Sequence, residues 1–265
     1  MAAKKRLIFP LDVPHREQAM AWVEKLRNEV GLFKVGLELF LGEGPKFLED
    51  LAEMAPEGYF LDLKLHDIPT TVQGALRQLV RGARFTTVHV DQGRKALKAT
   101  VDALKERVAV LGVTVLTSLT PADLVAQGID PRYATDPPIE LVLLRAGLAY
   151  EAGCAGVVCA GSEARAVKEK FGDDFLVVCP GIRPSGAPVP ADDQRRIMTP
   201  YEAIQAGADY VVVGRPIRLA PDPVARAREV VADIARGLAE RPSPPKESER
   251  SRPRTGAGKK PSLPG

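Results

Sequence analysis

Apolar and polar positions alternate in two rhythms from residue 7 to about residue 239. Short β-branched runs recur as LIFPLD (7–12), LFKVGL (32–37), YFLDLKL (59–65), FTTVHV (85–90), VAVLGVTVL (108–116), AGVVCA (155–160), FLVVCPG (175–181) and DYVVVG (209–214). Between them the apolar positions repeat every three to four residues, as in Val72, Ala75, Leu76, Leu79 and Val80. The same spacing joins Leu97, Val101, Leu104 and Val108, and then Val224, Ala227, Val231, Ile234 and Leu238. Eight strand candidates alternating with about eight helices predict an α/β fold, the (β/α)8 TIM barrel. A doubly wound open sheet is the competitor. Such sheets usually carry a Gly-rich turn after the first strand, whereas here LIFPLD runs into VPHREQ.

The rhythm stops at Glu240, which divides the chain into a barrel domain (1–239) and a tail (240–265). The tail holds six prolines and no aromatic residue, too little apolar surface to offset its ordering entropy, and is predicted to be disordered. It also changes the meaning of the formal charge of +3. Seven Lys/Arg against three Glu give the tail +4, so the first 239 residues carry +3 less +4, or −1. The body is not basic, and the tail is read as a solvated appendage rather than a nucleic-acid-binding arm.

Composition excludes further classes. No apolar run approaches the ~18–20 residues of a membrane span. The apolar stretch after MAAKKR ends at Asp12, short of a signal-peptide core. Cys154, Cys159 and Cys179 lie in apolar runs and are read as buried, reduced thiols of a cytoplasmic protein. Neighbours at zinc-ligand spacing are absent from the sequence around them.

The most informative stretch is FLDLKLHDIPTT (60–71). A strand alternates faces with period two, so Leu61, Leu63 and Leu65 share one face and Asp62, Lys64 and His66 the other. In a barrel the leucines pack on the surrounding helices, and Asp62 and Lys64 point inward near the C-terminal mouth, where active sites of this fold lie. A buried ion pair seldom returns more stability than apolar residues in its place, which favours a chemical role. Asp67, two positions beyond the strand, could stand over the mouth or cap the following helix. Lys34, within the apolar LFKVGLELF (32–40), is aimed at the same interior. Together Lys34, Asp62, Lys64 and Asp67 could hold a proton donor beside an anionic substrate.

The loops after the seventh and eighth strands are the usual phosphate site of this fold. Here they are VVCPGIRPSGAPVPADDQRRIMTP (177–200), long enough for a lid, and VVVGRPI (211–217). Gly214 permits close backbone approach, Arg215 supplies forked donors, and Gln194 lies on the lid. Asp12 ends the first strand, where it suits sugar hydroxyls, and Ser118 follows the fifth, where it could read a polar ring. His89 reads as a core histidine of the fourth strand.

DLKLHDIPTTV (62–72), with LDV (11–13), FKVGLELF (33–40), PGIRP (180–184), DQRRIMTP (193–200) and DYVVVGRPI (209–217), resembles the orotidine 5'-phosphate decarboxylases over about residues 7–230. The D-x-K-x-x-D-I-P pattern is far more specific than the barrel itself. HVDQG (89–93) departs from many relatives in placing Asp91 and Gln92 where small residues are expected. The resemblance implies a homodimer with shared active sites that converts orotidine 5'-phosphate to uridine 5'-phosphate without cofactor or metal. It implies a Lys34-Asp62-Lys64-Asp67 array, with Lys64 the proton donor to carbon 6 and Asp67 reaching the partner subunit's site beside Ile68 and Thr71. It assigns ribose to Asp12 and Lys34, pyrimidine to Ser118, and phosphate to Gln194, Gly214 and Arg215. Two rivals remain: a metal-dependent sugar-phosphate decarboxylase or aldolase of the same superfamily, and a non-catalytic phosphate-binding barrel whose tail recruits a partner.

Overall fold

The computed structural model describes residues 3–79, 81–104, 107–185 and 198–241. Eight strands follow one another around a closed barrel: β1 (Leu7–Pro10), β2 (Leu32–Val35), β3 (Tyr59–Leu65), β4 (Ala83–His89), β5 (Ala109–Val113), β6 (Gly156–Val158), β7 (Leu176–Cys179) and β8 (Tyr210–Val212). Every neighbouring pair is parallel, and β1 closes the ring on β8 through Leu7↔Val211 and Ile8↔Val212. The barrel expected from the alternation is therefore present. Most strands are shorter than the apolar runs that announced them, because the runs continue into the loops at the C-terminal mouth.

The period-two pattern sorts each strand between two cores. Inward-facing Ile8, Leu32, Phe60, Phe85, Leu111, Val113, Val158, Val178, Tyr210 and Val212 form one buried cluster. Phe85 lies at its centre, edge-on to Phe60 at 5.8 Å and to Tyr210 at 5.1 Å between ring centroids. Outward-facing residues such as Leu7, Phe9, Phe33, Val35 and Leu61 join the helices in a second, larger cluster, against which Leu63 and Leu65 are partly buried. The barrel interior is thus a packed apolar plug.

The helical spacings also materialise. Pro69–Arg77 buries Val72 and Leu76, Arg94–Leu104 buries Leu97 and Leu104, and Pro223–Ala239 buries Ala227 and Ile234. Val108 lies beyond its predicted helix, immediately before β5. The helix Leu37–Met54 is broken at Gly44, whose φ of 68° is left-handed, directly before Pro45, which cannot donate a helical N–H. The β5–β6 connection carries two helices, Pro121–Ala126 and Ile139–Glu151, and a short turn of helix, Arg215–Arg218, precedes the last one. No helix among the described residues is long and apolar enough to cross a membrane. All three cysteines are buried and unbridged, as expected. Most of the tail, residues 242–265, lies outside the described residues.

Gly156 controls how closely β6 approaches β7. A Cβ added there would collide with the backbone carbonyl of Leu176, its register partner. Neither strand can yield without opening the barrel ladder. Gly156→Ala is expected to destabilise the fold by about 2 kcal/mol or more, read as a lowered urea midpoint with an unchanged slope.

Candidate active site

The charged residues sit one layer above the apolar plug. Lys34 pairs in register with Phe60 between β2 and β3, so its side chain and that of Asp62, two residues along, rise from the same inner face. Asp62 is 8% exposed. Its Oδ2 accepts a 2.9 Å hydrogen bond from Lys64 Nζ and lies 3.5 Å from Lys34 Nζ. Lys34 Nζ also reaches Asp12 Oδ1 at 3.3 Å, linking the end of β1 to the cluster. The other carboxylate oxygen, Oδ1, accepts a 2.9 Å hydrogen bond from the Thr87 hydroxyl on β4.

The electrostatics follow from this geometry. Burial pushes the Asp62 carboxyl upward, but the two ammonium groups and the Lys64 and Thr87 hydrogen bonds outweigh it, and the group is held below the ordinary aspartate range. Burial likewise pulls Lys34 down, and Asp62 with Asp12 more than reverses that, leaving its ammonium above the ordinary lysine range. Both groups therefore stay charged at neutral pH.

The cluster opens into a cavity of about 200 Å³. Lys34, Asp62 and Lys64 form one side, Phe60 and Val212 belong to the apolar plug, and Thr117 and Ser118 come from the loop after β5. Ser118 therefore lies on the cavity wall. Asp12 and the Gly214–Arg215 pair stand at the same end of the barrel without lining that cavity. Gly214 is fixed by a close approach: a Cβ there would come within 2.7 Å of the Pro10 ring. Its carbonyl accepts from the N–H groups of Ile217 and Arg218, while Arg218 Nη1 donates to the Asp12 carbonyl at 2.8 Å. Gln194 lies outside the described residues.

Asp67 is not brought into this cluster within one chain. It is exposed on the loop after β3, where its Oδ1 accepts from the N–H of Ile68 at 2.6 Å. Asp67 and Ile68 border an open groove with His66, Gln92 and Lys95. Ile68 is 64% exposed, and Thr71 is exposed on the following helix.

Three features were not anticipated. His89 is not in the core: it is half-buried at the end of β4 with its ring 5.6 Å from that of His66, and burial holds it below the ordinary histidine range. Asp91 lies 3.8 Å from His66 Nε2 and 3.4 Å from Arg145 Nη2, so the departure in HVDQG contributes an ionic rim. Thr87, a polar inward position in the alternation Phe85, Thr87, His89 on β4, joins the cluster through Asp62 and the Lys64 N–H.

A parallel barrel with two lysines converging on a buried aspartate at the C-terminal mouth defines the chain as an enzyme-type (β/α)8 barrel. Residues 5–230 match the family model described as "Orotidine 5'-phosphate decarboxylase / HUMPS family". The chain is 44% identical over 239 residues to the orotidine 5'-phosphate decarboxylase of Desulfosudis oleivorans, covering 89% of this chain and 96% of that protein. It is 46% identical over 235 residues to that of Anaeromyxobacter sp. (strain K), covering 88% and 100%. Among solved structures, orotidine 5'-phosphate decarboxylase from Lactobacillus acidophilus superposes with a TM-score of 0.72 at 34% identity, covering 86% of this chain and 98% of that one. The protein belongs to the orotidine 5'-phosphate decarboxylase / HUMPS family.

The charge cluster has a defined pH window. Asp62, depressed on folding, contributes stability above the unfolded carboxylate value of about 3.9 and loses it as pH falls through the lower folded value. Lys34, raised on folding, contributes below about 10.4 and loses its share as pH rises further. Asp62→Asn is therefore expected to lose about 3 kcal/mol at pH 7 by leaving Lys34 poorly compensated. In urea titrations across pH, the gap to the native protein should shrink below about pH 4.

Proposed function

We propose that the protein decarboxylates orotidine 5'-phosphate to uridine 5'-phosphate, the last step of de novo pyrimidine nucleotide synthesis, without cofactor or metal. The observation that carries this reading is the convergence of Lys34 and Lys64 on one buried carboxylate, Asp62, beside a cavity at the barrel mouth. The names borne by relatives that match nearly their full length favour it over a metal-dependent sugar-phosphate enzyme of the superfamily. A family member with this charged cluster is also poorly described as a non-catalytic barrel, because the cluster serves no packing role that apolar residues would not serve as well.

The reaction breaks the bond between carbon 6 and its carboxylate. Carbon dioxide departs and the electron pair stays on carbon 6, where the pyrimidine offers no ordinary sink. Lys64, an ammonium 2.9 Å from Asp62 in the free enzyme, stabilises that charge and delivers its proton to carbon 6. The resulting amine regains a proton from solvent. Asp62 lies beside the departing carboxylate and keeps Lys64 directed at it. Asp12 and Lys34 hold the ribose hydroxyls, Ser118 the pyrimidine, and Gly214, Arg215 and Gln194 the phosphate. Phosphate binding lies away from the reacting carbon, yet its energy lowers the chemical barrier where it helps exclude water from the site.

Asp67 completes the array from a second subunit. The exposure of Asp67, Ile68 and Thr71 along an open groove supports a homodimer in which this loop enters the partner's site. The enzyme is read as cytoplasmic from its three reduced cysteines, and the tail as taking no part in turnover.

The direct test is the absorbance change when purified protein meets orotidine 5'-phosphate in the presence of a chelator. Turnover is expected, and Lys64→Ala should reduce it about a thousandfold or more. No turnover, or robust turnover by Lys64→Ala, would contradict the assignment. Equal mixing of inactive Asp67→Ala and Lys64→Ala chains should restore about a quarter of native activity, since half the dimers are mixed and each holds one intact site. Failure to recover with subunit exchange demonstrated would remove Asp67 from the partner's site.

A further inference from the structure

The structure assigns Thr87 as a positioning residue that fixes the Lys64–Asp62 pair through a single hydroxyl. The inference rests on the reading that Lys64 and Asp62 perform the chemistry, and it concerns how the barrel holds them.

Lys64 is the only non-glycine residue with positive φ among the described residues, at 49°. Side-chain crowding disfavours that conformation for a lysine, so the surroundings must enforce it. The β3–β4 register shows where the enforcement acts. Leu61 pairs with Thr86 and Leu65 with Val88, so four steps along β3 match two along β4. The surplus residues bulge out of the ladder, and the Lys64 N–H loses its regular strand acceptor. Thr87 Oγ1 accepts that N–H instead, at 2.9 Å.

The same hydroxyl has one proton, and it goes to Asp62. An ionised carboxylate only accepts, so the 2.9 Å contact to Oδ1 is donated by Thr87. This fixes the rotation of the carboxylate, leaving Oδ2 facing Lys64 and Lys34 at 2.9 and 3.5 Å. One oxygen atom thus sets both the backbone from which the proton donor springs and the orientation of its counter-ion. Thr87 is fully buried, so water is no substitute. Its neighbour Thr86 offers a built-in control. It is equally buried on β4, yet its hydroxyl has no hydrogen-bond partner among the described residues.

The test compares Thr87→Val, Thr87→Ser and Thr86→Val with the native enzyme. Valine keeps the shape and removes both hydrogen bonds; serine keeps the hydroxyl. For Thr87→Val, kcat for orotidine 5'-phosphate is expected to fall about 30-fold with KM within about threefold, the signature of a misplaced reacting group rather than of lost binding. Thr87→Ser should stay within about threefold of native kcat, and Thr86→Val should be indistinguishable from native. In parallel, hydrogen exchange at the Lys64 amide should accelerate in Thr87→Val and remain slow in Thr87→Ser.

Native kcat in Thr87→Val, or equal losses in the Thr86 and Thr87 valine variants, would overturn the inference. An inactive native enzyme would instead overturn the proposed reaction. The Lys64 amide exchange would then decide the positioning claim alone, and unchanged exchange in Thr87→Val would refute it.

Discussion

A carboxylate buried in the mouth of a barrel has to be compensated, and much of the local architecture around Asp62 does that. Alone at this depth it would take up a proton rather than remain ionised. Lys34 from β2, Lys64 from its own strand and Thr87 from β4 each supply a positive charge or a donor to it. The compensation is mutual, because burial disfavours the Lys34 ammonium and Asp62 with Asp12 more than reverses that effect. Removing Asp62 leaves the Lys34 ammonium in surroundings that disfavour its charge. The cluster is therefore preorganised before any ligand arrives, the condition under which fixed charges act most strongly on a reaction.

The apolar plug beneath this layer gives the charges a stiff floor. Phe60 belongs to that plug and also borders the cavity, so the packed core and the candidate active site share a residue. Close approaches hold the ring of strands in register, with Gly156 against β7 and Gly214 against Pro10. Arg218 adds a tie between the segment after β8 and the Asp12 carbonyl, which joins the phosphate end of the proposed site to the sugar end. These contacts lie on the barrel rather than on long loops, and rigid elements hold reacting groups to tighter tolerances than loops do.

Much of this was legible in the sequence because both periodicities are local. Alternation within YFLDLKL is enough to place Asp62 and Lys64 on the inner face and Leu61, Leu63 and Leu65 against the helices. The apolar surroundings of Lys34 likewise exposed it as an inward-pointing charge. The bulge at Lys64 was not legible, because it is a property of how β3 pairs with β4 and not of either strand alone. Thr87 escaped for the same reason: a threonine in a strand is unremarkable until its hydroxyl is found between an amide and a carboxylate. His89 departs from its expected core position because its strand ends at the mouth, where an inward position meets the rim rather than the core. Asp67 lies apart from the cluster in a single chain, a displacement set by the loop after β3 that the strand's alternation does not encode.

Asp62 is an ionised carboxylate held by two lysines and one hydroxyl. The most direct measurement is a carbon-13 NMR titration of aspartate carboxyl carbons, with Asp62→Asn used to assign the resonance. The expected midpoint lies below the ordinary aspartate value of about 3.9, with the carboxylate fully ionised at neutral pH. A midpoint above about pH 5 would contradict it, since burial would then outweigh the lysines and the pair could not direct a proton donor.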